Sequence, residues 1–217
     1  MYYGPSIMEK AGIKFKSLDD DESALLLNIP LGFFNFVGTI ICILYIDKLG
    51  RRYILLRTLP LMAVSWFIAA VGMSLTGSTL SDSVQTAGGC ITIFGICMFL
   101  LFYAIGIGST PWAINSEIYP LHVIGTANSL AATTNWVTNA IVSEIFKLLI
   151  EISIATTVVA YCGLGLCGIL GFIFTYYLIP ETANKPIEQI LKEILGEDKA
   201  SRSGVKTAGS EEEERLT

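Results

Sequence analysis

Charged residues are scarce in this 217-residue chain. Only 15% of the residues are Asp, Glu, Lys or Arg, whereas a typical soluble domain has about 25%. This scarcity excludes an ordinary soluble domain. The hydrophobic residues, 53% of the chain, occur in runs of about twenty, the length needed to cross a bilayer. The sequence therefore predicts an all-α, multi-pass integral membrane protein.

Catalytic and cofactor-binding patterns are lacking as well. The chain has no Ser/His/Asp or Cys/His set, no phosphate-binding loop and one histidine, His122. Its five cysteines are not spaced as metal ligands, and no basic cluster is interleaved with aromatics as in nucleic-acid-binding proteins. We expect no enzyme, no catalytic residue, no metal, no cofactor and no nucleic-acid partner. Transport and a structural role remain.

Five apolar spans are predicted between polar ends. A polar segment, 1–22, precedes a bundle over 23–179, whose spans cover residues 23–46, 58–76, 88–114, 126–150 and 153–179. Apolar residues at helical spacing predict a short amphipathic helix over 180–195. The remainder, 196–217, is acidic and low in hydrophobicity, which predicts disorder.

The basic residues predict an orientation. The charged turn 47–52 between the first two spans contains Lys48, Arg51 and Arg52, and Arg57 follows it. The loop 77–87 contains no Lys or Arg. Because Lys and Arg accumulate on the cytosolic side of membrane proteins, this turn, the elbow around 117–124 and the C-terminus are expected in the cytosol. Segment 1–22 is then on the outer side.

Several uncharged polar side chains fall within the spans. Asn135 and Asn139 are four residues apart, and Asn128 lies seven before Asn135, so the three share a helix face. Asn35 is a mid-span amide of the first helix, and Trp112 offers an aromatic surface. Amides both donate and accept hydrogen bonds, which suits a neutral polyhydroxylated ligand.

Asparagines also join helices to one another in membrane bundles. Three aligned amides beside a span interrupted by Gly106, Gly108 and Pro111 favour a lined cavity over this alternative, because broken helices are tolerated mainly where protein or water covers the backbone.

Charges at the predicted cytosolic ends of the spans form a second set: Asp47, Arg51, Arg52, Glu117 and Glu181. Ion pairs between these helices would hold one conformation and act as a gate. The alternative is ordinary cytosolic anchoring of basic residues, which accounts for the arginines but not for Glu117.

Sequence motifs resemble those of a known family. They are YYGPSIMEKAG at 2–12, DKLGRR at 47–52, GIGSTPWAINSEIYPL at 106–121, NSLAATTNWVTN at 128–139 and PETANKPIE at 180–188. In this order they resemble the C-terminal half of a sugar porter of the major facilitator superfamily. The segment NSEIYPL at 115–121 is most similar to the corresponding segment of proton-coupled myo-inositol transporters.

The resemblance implies that the five spans are helices 8–12 of a twelve-helix transporter that works by alternating access. It implies substrate contacts at Asn35, Trp112 and Asn139, with Asn135 adjacent, and gate charges at the five positions named above. The implied partners are myo-inositol or a hexose, the lipid bilayer and an N-terminal half absent from this chain. Transport is either proton-linked, which adds protons to the partners, or facilitative. The implied location is the plasma membrane. The alternative is a short membrane protein that does not transport and instead binds or regulates a full-length porter.

Three positions depart from the family pattern. Ile124 replaces an elbow arginine, so Glu117 would lose one ion partner. Ala183 and Asn184 replace a lysine-glycine pair. Ala104 replaces an acidic residue, so one polar substrate contact is absent.

Overall fold

The computed structural model describes residues 20–77, 80–120, 123–183, 185–186, 189–190 and 193, with side chains from residue 28 onward. Throughout these residues the backbone is helical or irregular and forms no strand. The helices are α1 Asp20–Leu49, α2 Arg51–Ser74, α3 Asp82–Ile105, α4 Thr110–Glu117, α5 Ile124–Ile152 and α6 Ile154–Leu178. The predicted all-α fold is confirmed.

A single residue, Gly50, separates α1 from α2. Its φ of +90° lies in the left-handed region, which glycine adopts without steric cost. The charged turn expected over 47–52 is therefore shortened to Gly50, because the charged residues on either side of it belong to the two helices. For the same reason α2 begins at Arg51 rather than near residue 58.

The third predicted span is interrupted where its glycines and proline indicated a break. α3 ends at Ile105 and α4 begins at Thr110, and the Gly108 N–H donates to the Tyr103 carbonyl at 2.8 Å. A Cβ on Gly106 would lie 2.1 Å from the Thr58 hydroxyl oxygen. The break therefore approaches α2 too closely for any larger residue at this position.

The centre of the bundle is α2, which packs against both α3 and α6, while α1 packs against α3. Small residues bring these backbones together: a Cβ on Gly72 would lie 2.5 Å from the Thr92 nitrogen, and one on Gly95 would lie 2.7 Å from the Ala69 nitrogen. Close backbone approach of this kind supplies the van der Waals contacts that hold membrane helices together.

α5 differs from the other long helices. Four segments are long and apolar enough to cross a membrane: Asn28–Leu49, Arg51–Ser74, Asp82–Glu117 and Ile154–Leu178. α5 has 29 residues, which is sufficient length, but its amides and hydroxyls, together with Glu144, Lys147 and Glu151, keep it out of that set. It contacts α4 and α6 only lightly, and Ile150 alone among its residues is buried.

Some predicted regions lie outside the described residues. These are most of the polar segment 1–22, His122, most of the amphipathic helix 180–195 and the whole tail 196–217. Ile190, one apolar position of that helix, is described and is buried.

Candidate functional site

One face of α5 carries three amides followed by two apolar side chains: Asn128, Asn135, Asn139, Phe146 and Ile150. The spacings of seven and four residues alternate along this set. At 100° per residue they keep all five side chains within about 60° around the helix axis. We call this face the α5 stripe.

Both ends of the α5 stripe contact the bundle. At one end the Asn115 side-chain amide of α4 donates a hydrogen bond to the Asn128 side-chain carbonyl. At the other end the Phe146 ring lies 5.9 Å from the ring of Tyr161 on α6, and Ile150 packs in the same buried cluster as Tyr161. The stripe is therefore turned toward the other helices.

The middle of the α5 stripe is open. Asn135 and Asn139 are exposed, and the Asn139 carbonyl oxygen accepts only a 3.5 Å bond from Ser143 of its own helix. Within the described part of the chain, no residue of another helix is hydrogen-bonded to either amide. Asn128 therefore joins two helices, while Asn135 and Asn139 keep their hydrogen-bonding groups available to a ligand.

The other two predicted substrate residues lie on neighbouring helices. Trp112 of α4 is 44% exposed, and Asn35 of α1 is half-buried. Because α1 packs on α3 and α5 contacts α4, the broken α3–α4 unit lies between the helices that carry the amides. The described structure places the predicted residues along three adjacent elements, with no hydrogen bond between them.

A cavity of about 310 Å³ lies between α2, α4 and α6. Its lining is mostly apolar, with Leu59, Ile114 and Phe174 among its walls, and it includes none of the predicted substrate residues. Asn115, which borders this cavity, already donates to Asn128. Thr175, the other polar side chain of the lining, donates to the Gly171 carbonyl at 2.8 Å. The cavity therefore offers a polyol few free hydrogen-bonding groups.

The predicted gate charges meet where α1, α2, α4 and α6 end, which we call the Gly50 end. The Arg51 guanidinium lies 2.9 Å from a carboxylate oxygen of Asp47 and 2.9 Å from one of Glu117. The Arg51 side chain is 14% exposed, that of Glu117 29% and that of Asp47 79%. Because exposed ion pairs contribute little, the Arg51–Glu117 pair is the stronger link.

Glu181 acts on backbone groups rather than on an arginine side chain. Its carboxylate accepts the backbone N–H groups of Arg51 at 2.9 Å, Arg52 at 3.2 Å and Ala183 at 3.1 Å. The first N–H groups of a helix have no partner within the helix, and Gly50 has no side chain to supply one. Glu181 therefore caps α2 from 130 residues away, and its charge suits the positive end of the helix dipole.

The remaining gate arginine, Arg52, pairs with no carboxylate in the described structure. Its guanidinium donates to the Tyr176 backbone carbonyl near the end of α6 at 2.6 Å. It thus ties α2 to the C-terminal end of α6, where carbonyls lack intrahelical partners. Arg52 thus contributes to the Gly50 end through a backbone carbonyl rather than through the ion pair that its charge suggests.

Two participants were not identified from the sequence. The Thr182 hydroxyl donates to the second oxygen of Glu117 at 2.5 Å, and Gly50 permits the approach of Glu181, since a Cβ there would lie 2.6 Å from a Glu181 oxygen. The only available signals were a lone glycine between charged residues and a threonine directly after Pro180-Glu181.

Glu117 has partners in the structure although Ile124 stands where the family pattern has an arginine. It contacts both Arg51 and Thr182. Arg51 and Glu117 are 66 positions apart, so their contact depends on how the helices pack.

Comparison with known proteins identifies the family. The family model described as "Sugar (and other) transporter" matches residues 1–193. "Membrane transporter D1" of Leishmania donovani is 35% identical over 191 residues, which cover 88% of this chain and 33% of that protein. "Myo-inositol transporter 1" of Saccharomyces cerevisiae is 31% identical over 198 residues, covering 88% and 32%.

Solved structures agree with the fold. The chain is similar to the major facilitator superfamily proton:xylose symporter XylE bound to 6-bromo-6-deoxy-D-glucose, with a TM-score of 0.65 and 25% identity. The match covers 89% of this chain and 38% of XylE. The chain spans about a third of the length of the two curated relatives named above. On its helical arrangement and its sequence, this chain belongs to the sugar (and other) transporter family.

Proposed function

We propose that this chain forms one wall of an alternating-access transporter for a neutral sugar or polyol. The observation that carries the proposal is the open middle of the α5 stripe. Its two ends pack on the bundle, yet Asn135 and Asn139 between them bond to no other helix in the described structure. Unpartnered amides are costly in hydrocarbon, so a hydrated path or a polar ligand accounts for them.

The ligand chemistry follows from the side chains. Asn35, Asn135 and Asn139 each offer a donor and an acceptor without charge, and Trp112 offers an aromatic face for the C–H surface of a sugar ring. We propose myo-inositol first and a hexose second as substrates, with protons as the coupling ion. The names of several relatives, among them a myo-inositol transporter and a D-xylose-proton symporter, support this choice.

The Gly50 end is proposed as the cytosolic gate. Arg51 of α2 contacts Asp47 of α1 and Glu117 of α4, and Glu181, which follows α6, caps α2. Opening toward the cytosol would separate these helices and break the contacts. The concentration of basic residues at this end supports a cytosolic orientation.

We further propose that the chain is the second half of a twelve-helix protein of the plasma membrane. The first half would supply the opposite wall of the substrate path and the residues that couple transport to protons. The present chain covers about a third of the length of two curated relatives, which supports a longer protein. Transporters of this superfamily consist of two halves that rock around a central site.

Uptake by the full-length protein tests the proposal. Asn139→Ala should lower uptake of labelled myo-inositol by about tenfold, since a lost hydrogen bond of about 1 kcal/mol acts together with desolvation of its partner. Thr133→Ala, which also removes a polar group from an exposed position of α5, is the matched control and should transport normally. Equal uptake by Asn139→Ala and the parental protein, at equal surface expression, would contradict the proposed site.

A further inference from the structure

The face of α2 turned away from α3 and α6 is apolar apart from one position. Tyr53, Leu61, Val64 and Val71 are each 44–58% exposed along it. Arg57 falls between Tyr53 and Leu61, four residues from each, and is also exposed. Because α2 is long and apolar enough to cross a membrane and its other sides are packed, this exposed apolar face is available to lipid.

Arg57 has no acidic partner among the described residues. Its guanidinium carbon lies 5.2 Å from the centre of the Tyr53 ring, and none of the ion pairs described involves it. The nearby acids are engaged elsewhere, because Glu117 pairs with Arg51 and Glu181 caps α2. The counter-charge for Arg57 must therefore come from outside the described bundle.

The position of Arg57 along α2 indicates where that counter-charge lies. It is six residues beyond Arg51, or about 9 Å along the helix axis, and thus at the margin of the hydrocarbon. An unneutralised arginine facing lipid is costly, and its long side chain reaches back to the headgroups. Tyrosines such as Tyr53 are enriched at this level.

We propose that Arg57, with Tyr53 beneath its guanidinium, binds the phosphate of an anionic phospholipid in the leaflet at the Gly50 end. A guanidinium matches two phosphate oxygens at once, and the ring of Tyr53 holds it in place. Lys48, exposed at the same end and in none of the described ion pairs, adds positive potential that favours a lipid with net negative charge. The proposal requires only a membrane-embedded chain and is independent of the transported substrate.

Native mass spectrometry of the purified full-length protein, titrated with phosphatidylglycerol or phosphatidylcholine, tests this site. Arg57→Gln should lower the affinity for one phosphatidylglycerol by at least about tenfold. The phosphatidylglycerol affinity of Arg57→Lys should lie between those of the parental protein and Arg57→Gln, because lysine keeps the charge but lacks the planar guanidinium. Lys147→Gln removes an exposed cation from the opposite end of the bundle and should bind as the parental protein does.

Two results would overturn the site. They are unchanged phosphatidylglycerol affinity in Arg57→Gln and an equal loss of affinity in Lys147→Gln. If Arg57→Gln does not fold, Arg57→Lys and Tyr53→Leu replace it, and unchanged affinity in both, at the parental melting temperature, would also contradict the proposal.

Discussion

At the Gly50 end, the guanidinium of Arg51 and the carboxylates of Glu117 and Glu181 all have partners within the protein. Midway along α5, the amides of Asn135 and Asn139 have none on another described helix. Both regions place polar groups among apolar helices. The free-energy cost of each group there depends on whether it has a hydrogen-bond or ion-pair partner. The Gly50 end, whose charged groups contact one another and backbone groups of other segments, is suited to holding a conformation. The middle of the α5 stripe, whose amides contact no other described helix, is suited to receiving a ligand.

The comparison extends to Asn128. It shares a helix face with Asn135 and Asn139 but bonds to Asn115, so it joins two helices as the charged groups of the Gly50 end do. Side chains of one type on one stripe therefore serve two purposes, and their partners distinguish them. The same distinction separates Arg51, which is paired, from Arg57 two turns later, which is not.

Breaking the central pair of the Gly50 end should have the largest effect. Arg51→Ala leaves the partly buried carboxylate of Glu117 without its cation, which we expect to lower the free energy of unfolding by about 3 kcal/mol. The melting temperature of the full-length protein in detergent measures this. Lys147→Ala, which removes a cation with no ion pair among the described residues, is the control. Equal melting temperatures for the two variants would show that the Gly50 end does not stabilise the fold.

Gly50→Ala should have the next largest effect. Alanine is strained at a φ of +90°, and its Cβ would displace the Glu181 carboxylate, so we expect a loss of about 2 kcal/mol. Gly32→Ala is a matched control, since a Cβ there meets nothing within 4 Å and alanine favours a helix interior. The same thermal assay would contradict the capping role of Glu181 if both variants melted at or above the parental temperature.

Ile124→Arg should have the smallest effect. It restores the arginine of the family pattern, but Glu117 is already engaged by Arg51 and Thr182. We expect altered transport kinetics with less than about 1 kcal/mol of added stability, as for a partly exposed ion pair. Initial uptake rates in both directions measure the change. No change in either rate would indicate that Glu117 has no capacity for a further partner.

Apolar run lengths predicted the helical fold, and Gly106, Gly108 and Pro111 predicted the broken third span, because both depend on local chemistry. The sequence also placed the gate charges at one end, since five spans determine which ends meet. It did not show that Glu181 caps α2 or that Thr182 contacts Glu117, because these contacts join residues 65 or more positions apart. Nor could periodicity show that Asn128 and Asn135 differ in role. They share a helix face, and they differ only because Asn128 bonds to Asn115 of α4.

The most direct test compares two amides of the same helix face. Binding of myo-inositol to the purified full-length protein would be measured by calorimetry for Asn128→Ala and Asn139→Ala, with the melting temperature of each. We expect Asn139→Ala to weaken binding by about tenfold at the parental melting temperature, whereas Asn128→Ala should keep the affinity and melt at a lower temperature. Parental affinity in Asn139→Ala, or the same loss of affinity in both variants, would contradict it.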